Sequence, residues 1–260
     1  MPEILEIEYY RRLAERALHR PISSVATPDA WYLKGGADAG MVAAELLGRS
    51  FVAARRRGKL LLLDLDEGST LGLRFGMTGV LEVDDAEGVS QLEYSSLRRD
   101  PAWVRVGIGF ADGGELRMRD PRRLGGVVID PDEDRLGPDA LALTPAGLRG
   151  ALAGSHAPLK ARLLDQHRVA GLGNLLVDEI LWRAKLDPAR EAGSLTPVEL
   201  RRLHGRLRST LDHLLERGGS HLGELMAARQ RGGRCPRCGT ALDRRTVGGR
   251  TTFSCPKEQR

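Results

Sequence analysis

Near residue 131 the hydrophobic pattern changes period, and this limits the possible architectures more than any other property of the chain. Before it, apolar runs are short and punctuated by Gly, Asp and Glu: 60–65, 70–75, 79–83, 104–110, 115–119 and 126–129. Runs of this length, bounded by turn formers such as Asp66-Glu67-Gly68 and Asp112-Gly113-Gly114, read as strands. Residues from about 22 to 130 are therefore expected to form an antiparallel β domain, a sandwich or a barrel. After it, apolar residues recur at helical spacing in 145–153, 159–166, 175–184 and 197–217. Thr144 and Thr196 stand at N-cap positions, and Glu199 follows Thr196 at the spacing of a capping box. Gly218-Gly219 ends the last helix. Residues 131–144, rich in Pro, Asp and Gly, read as a linker. The class is α+β and multidomain, with parts expected at 1–131, 132–225 and 226–260.

The N-terminus adds a helix, expected over residues 2–20. Pro2 suits the first turn, where a missing N–H costs nothing. Glu3 and Glu6 lie at the positive end of the helix dipole, and Arg11, Arg12 and Arg16 towards the negative end. Met1 precedes the small residue Pro2, so the initiator methionine is expected to be removed. The exposed secondary amine, with a pKa near ~8, is partly neutral at physiological pH. Such an amine can attack an aldehyde-level sugar carbon and form an imine. A proline that only begins a helix is the structural alternative.

Charge is concentrated at the other end. Residues 226–260 hold nine Lys or Arg against two acids, a net +7 in a chain of net +5. The basicity is a local feature, as in a polyanion binder, although a solvated tail gives the same count. The same stretch carries all three cysteines, Cys235-x2-Cys238 and Cys255. This is three-quarters of a four-cysteine zinc ribbon, and Glu258 occupies the position of the fourth ligand. One zinc ion on Cys235, Cys238, Cys255 and Glu258 is expected; a metal-free hairpin is the alternative. No apolar run approaches the ~20 residues of a membrane helix, and residues 1–12 have no apolar signal segment, so a cytoplasmic location is expected. Between two helical stretches, Val169-Ala170-Gly171-Leu172-Gly173-Asn174 offers a tight turn and then exposed N–H groups at a helix start, a potential phosphate site.

Six motifs in order resemble bacterial formamidopyrimidine-DNA glycosylases of the formamidopyrimidine/endonuclease VIII superfamily. They are Met1-Pro2-Glu3-Ile4-Leu5-Glu6-Ile7-Glu8, Arg56-Arg57-Gly58-Lys59-Leu60-Leu61-Leu62, Phe75-Gly76-Met77-Thr78-Gly79, Asp120-Pro121-Arg122-Arg123-Leu124-Gly125, Leu163-Leu164-Asp165-Gln166 with 169–174, and Gly248-Gly249-Arg250-Thr251-Thr252-Phe253 before Cys255-Pro256. The resemblance implies an N-terminal helix on a two-layer antiparallel β-sandwich, a helix–two-turn–helix domain and a zinc-ribbon-like β-hairpin. It implies a base-excision-repair glycosylase and abasic-site lyase that acts as a monomer on damaged double-stranded DNA, with the target nucleotide flipped out of the stack. By the same resemblance, Pro2 is the nucleophile, Glu3 supplies a proton and Glu6 steadies the site. Lys59, Asn174 and Arg250 hold phosphates, with Lys59 or Arg250 as proton carriers in strand cleavage. Met77 and Arg122 fill the space left by the flipped base, and Leu124 stands where the family often has Phe. Lys160 is a further phosphate contact or a solvated helix residue. The short stretch from Gly218 to Cys235 leaves little room for a lid over an oxidised purine. A catalytically silent DNA-binding member is the rival reading, and a zinc-ribbon adaptor for RNA or protein a third.

Overall fold

The computed structural model describes residues 2–89, 92, 98 and 100–260; the expected removal of Met1 lies outside the described residues. The chain forms two compact units, one of Met1–Pro2 with Glu6–Glu133 and one of Glu3–Leu5 with Asp134–Arg260.

In the first unit, α1 (Ile4–Ala14), whose first two residues count with the second unit, is shorter than the pattern suggested. It tightens into a 3-10 turn at Glu15–Ala17, and His19 takes φ 60, which no helix continues. The strands are β1 (Ile22–Ala26), β2 (Phe51–Arg57), β3 (Leu60–Leu65), β4 (Thr70–Arg74), β5 (Val80–Val83), β6 (Ala86–Glu87), β7 (Val104–Phe110), β8 (Glu115–Arg119) and β9 (Gly126–Ile129), with α2 (Ala39–Leu46) between β1 and β2. They make two antiparallel sheets, ordered β1-β7-β8-β5-β6 and β2-β3-β4-β9. The all-β expectation for 22–130 omitted α2, which Asp38 caps by accepting from Met41 N at 2.8 Å. Strand β3 is an inner strand, buried at five of its six positions, which explains its continuous apolar run in place of alternation. One hydrophobic core joins Ile7, Tyr10 and Ala14 of α1 to Leu61, Leu63, Leu73, Val106, Ile108 and Met118 of the two sheets. Each of the larger of these side chains contributes about 1.5–3 kcal/mol by leaving water.

The second unit contains α3 (Pro145–Leu152), α4 (Leu159–Leu164), α5 (Asn174–Ala184), α6 (Pro197–Arg217) and the hairpin β10 (Asp243–Val247) and β11 (Arg250–Ser254). Thr144 caps α3 through Gly147 N at 3.0 Å, and Thr196 with Glu199 forms the reciprocal capping box of α6. Helix α5 is buried nearly all round, including the acids Asp178 and Glu179. An acid on such a helix must find partners, and these two organise what surrounds it. Arg183 pairs with Glu179 at 2.6 Å, and Leu225 N donates to its other oxygen at 2.8 Å. The segment from Gly218 to Cys235 thus runs close to α5 through two short 3-10 turns, Ser220–Leu222 and Met226–Ala228.

Candidate active site

Glu3 is fully buried, and its carboxylate closes the start of α5. Oε2 accepts from Gly173 N at 2.8 Å and Leu176 N at 3.2 Å, and Oε1 accepts from Leu175 N at 2.8 Å. Three N–H donors at a helix N-terminus suit a carboxylate. The turn before α5 is shaped to admit it. A Cβ on Gly173 would stand 2.2 Å from Glu3 Cδ, and one on Gly171, at φ +110, would stand 2.4 Å from Ile4 Cδ1. Ile4 N donates to Gly171 O at 3.0 Å and completes the contact. The residue after Pro2 is thereby fixed by groups about 170 positions away in the chain. Pro2 and Glu6 are buried as well.

Lys59 lies on the two-residue turn between β2 and β3, where Arg57 faces Leu60. Gly58 has φ +58 and supplies the backbone such a hairpin turn needs at its first position. Arg56 holds the turn, donating to Gly58 O at 3.3 Å and pairing with Glu8 of α1 at 3.2 Å. The Arg11 and Arg56 guanidinium groups keep the Glu8 carboxyl below the usual range against the opposing effect of burial. Met77 is half-buried, while Arg122 and Leu124 are exposed. Arg250 opens β11 after the Gly248-Gly249 turn and is exposed.

At the finger, the sulfurs of Cys235, Cys238 and Cys255 all lie within 4.8 Å of one another, and those of Cys238 and Cys255 are 3.5 Å apart. A tetrahedral zinc with bonds of ~2.3 Å would separate its sulfurs by roughly 3.8 Å, so the donor set fits such an ion. The trio packs on Trp182, whose Nε1 donates to Cys235 Sγ at 3.3 Å. Hydrogen bonding with Thr240 lowers the Cys238 thiol to about 7, and burial pushes Cys255 up to about 11.

The N-terminal domain model of formamidopyrimidine-DNA glycosylase matches residues 1–127, and the H2TH domain model of the same enzyme matches 136–224. The formamidopyrimidine-DNA glycosylase of Symbiobacterium thermophilum is 37% identical over 100% of this chain and 89% of its own. That of Bacillus subtilis is 32% identical over 100% and 99%. The chain belongs to the formamidopyrimidine-DNA glycosylase family. Solved structures agree. A complex of LlFpg with THF-DNA and an inhibitor superposes with TM-score 0.84 at 26% identity over 100% of both chains. The Lactococcus lactis Fpg bound to DNA containing FAPY-dG gives 0.83 at 26% over 99% of both.

Within this glycosylase framework several sequence expectations need correcting. Lys160 is neither a phosphate contact nor solvated: it is fully buried, 2.6 Å from Asp178 Oδ1, and donates to Thr251 O at 3.1 Å. Burial lowers its pKa, opposed by the Asp178 charge. Arg229 also pairs with Asp178 and lies over the Phe253 ring at 5.4 Å, while Phe253 N donates to Asp178 at 3.3 Å. These residues moor the finger hairpin to α5. Glu258 stands outside the cysteine trio, its carboxylate on Lys185 at 3.1 Å and Arg237 at 3.5 Å. The ion pairs draw it away from the fourth ligand position that its spacing suggested. The N–H groups of Gly173, Leu175 and Leu176 at the start of α5 are taken by Glu3 and are not free to cradle a phosphate; Asn174 has a buried Oδ1 without a hydrogen-bond partner among the described residues. Asp178 and Glu179 went unrecognised in the sequence, because a charge on a helix otherwise reads as a solvated face, and Arg229 was read only as part of the basic tail.

Proposed function

We propose that the DNA glycosylase and abasic-site lyase chemistry of this family member runs through the Pro2 nitrogen. It attacks C1′ of a flipped nucleotide, the C1′–base bond breaks, and the base leaves with the bonding pair. Glu3 takes the proton lost by the amine and returns it to the sugar ring oxygen as the ring opens to an iminium. Loss of a C2′ proton then expels the 3′ phosphate oxygen, and water releases Pro2 from the product. Glu6 steadies the site; Lys59, Asn174 and Arg250 bind the flanking phosphates, with Lys59 or Arg250 carrying protons in the elimination. Met77 and Arg122 occupy the vacated stack, and Leu124 is an aliphatic wedge that unstacks without an aromatic ring.

The observation that carries this reading is the Glu3 carboxylate, buried next to Pro2 and fixed by three N–H donors. Borohydride trapping on DNA with an abasic site tests it. Covalent capture that disappears when the N-terminal amine is blocked is expected; capture by the blocked protein would assign the nucleophile elsewhere. A silent DNA-binding member would give no capture at all.

The parts 1–131, 132–225 and 226–260 divide the work into catalysis, phosphate binding and finger contact with damaged double-stranded DNA, in a cytoplasmic monomer associated with the nucleoid. No helix among the described residues is long and apolar enough to cross a membrane. One zinc on Cys235, Cys238 and Cys255, completed by water, would serve as a structural cross-link. Leu225 and its neighbours are tied to Glu179, which supports a pocket without a lid. Contacts to a base edge contribute about 1–3 kcal/mol each, so losing a few removes ~10²–10⁴-fold of discrimination. Abasic sites are therefore the best substrates, ring-opened purines and oxidised pyrimidines intermediate, and 8-oxoguanine the weakest. Single-turnover rates on these duplexes decide the order, and fastest excision of 8-oxoguanine would reject the lid argument.

A further inference from the structure

The loop 75–79 carries Met77, and the loop 120–125 carries Arg122 and Leu124; one buried carboxylate joins them. Asp120 is fully buried, and both its oxygens are shared between partners. Oδ1 accepts from Thr78 Oγ1 at 2.6 Å and from Arg122 N at 3.2 Å. Oδ2 accepts from Gly125 N at 2.8 Å and from Tyr32 OH at 3.3 Å. The backbone of Asp120 is held too: its N–H donates to Trp103 O at 2.9 Å, and its carbonyl accepts from Arg105 Nε at 2.9 Å. Burial and the Asp120 charge push the Tyr32 phenol far above its ordinary pKa, so it stays a donor. The loops also meet directly, since a Cβ on Gly76 would stand 2.4 Å from the Leu124 carbonyl carbon. Thr78 comes from one loop, while Arg122 and Gly125 come from the other. The carboxylate therefore sets the spacing between Met77 and Arg122, whose backbones lie outside regular strands.

We propose that Asp120 is a positioning residue for base excision from duplex DNA: it presents Met77 and Arg122 together at the spacing needed to fill the stack behind a flipped nucleotide. This rests on the reading of those two side chains given above. An aspartate is required because each oxygen faces a backbone N–H. An asparagine must turn its NH2 towards one of them, Arg122 N or Gly125 N, and two donors then oppose each other.

Base excision from a duplex needs the filled stack, whereas cleavage of an abasic site in a single strand leaves no opposite base to support. The test compares single-turnover excision of a ring-opened purine from duplex DNA with cleavage of an abasic site in a single-stranded oligonucleotide. Asp120→Asn is expected to slow duplex excision by about 10- to 100-fold, the worth of one buried charge-assisted hydrogen bond. Single-strand cleavage should change less than about threefold, because no loop spacing is involved. Thr78→Val, which removes one hydroxyl, should move the same ratio in the same direction by about 3- to 10-fold, and it serves if Asp120→Asn does not fold. Asp120→Asn with Met77→Ala should lose less than the product of the two single losses, because both act on one placement. Equal losses on both substrates would reduce Asp120 to general fold support and overturn the inference. Losses in Met77→Ala and Arg122→Ala with none in Asp120→Asn and Thr78→Val would overturn it alone. Full duplex excision by Met77→Ala and Arg122→Ala would overturn the stack-filling reading, and the inference with it.

Discussion

Replacing Gly173 by alanine should disable this enzyme through Glu3. The new methyl group would stand 2.2 Å from Glu3 Cδ and 2.4 Å from Oε1, closer than nonbonded carbon atoms approach. Glu3 is fully buried and cannot move aside without leaving Gly173 N, Leu175 N and Leu176 N. Each hydrogen bond to a charged group contributes about 1.5–3 kcal/mol. Water and a small shift of α5 recover part of that, so a net loss of about 2–4 kcal/mol is expected, in the range of overpacking. For a unit of this size that lowers the melting temperature by roughly 10 °C. Misplacing a reacting group by ~1 Å costs roughly 10²-fold in rate, and Glu3 is peptide-bonded to the proposed nucleophile. Thermal unfolding, single-turnover excision and borohydride trapping should therefore all fall together. The control is Gly205→Ala in α6, where a Cβ meets nothing within 4 Å. It should raise stability by about 0.5–1 kcal/mol through helix propensity and leave the rate alone. A Gly173→Ala protein within ~0.5 kcal/mol of wild type that excises at full rate would refute the reasoning, because Glu3 would then not be held by the start of α5.

Four other substitutions test separate parts of the structure. Lys160→Met leaves Asp178 with Arg229 as its remaining ion-pair partner; it should cost about 2–4 kcal/mol in denaturant unfolding, and the salt slope of DNA binding should not change. Arg250→Ala should weaken binding to all sequences alike and reduce that slope by about 0.9, as expected for one lost phosphate contact; an unchanged slope would place the side chain away from DNA. Glu258→Gln should keep the metal content of protein purified without chelator, while Cys238→Ser should lose it, as elemental analysis will show. Glu199→Gln should destabilise by about 0.5–1 kcal/mol near neutral pH by removing the charge that pairs with Arg190, while the amide oxygen can still accept from Thr196 N. The Arg190 hydrogen bond lowers the Glu199 carboxyl from 4.5 to about 2, so its contribution is full above 4.5 and is lost as pH falls towards 2. The gap between variant and wild type should shrink over that interval in acid titrations followed by circular dichroism.

What could be read from the chain alone depends on near neighbours. The strand runs at 60–65 and 104–110, the capping box of Thr196 and Glu199, and the pair Gly218-Gly219 are set by side-chain period and by groups a few residues apart, and the structure has β3, β7 and α6 at those places. The motifs bearing Pro2, Glu3, Met77, Arg122 and Arg250 were recognisable for the same reason, as contiguous runs. Helix α2 was missed because eight residues within a strand-rich region carry too weak a period to stand out. The fate of charged side chains was not encoded locally. Lys160 finds Asp178 18 residues away and Thr251 91 away, and Glu3 finds Gly173 170 residues away. Asp120 reaches Thr78 across 42 positions. A lysine or glutamate on a helix is solvated unless another element covers it, and only the packed elements supply that cover together with the opposite charge or N–H donors that make burial tolerable. The sequence by itself thus determined the longer strands and helices named above and, through its contiguous motifs, the family. The tertiary structure alone decided which charges face solvent and which hold the framework, because that choice depends on desolvation by residues far away in the chain.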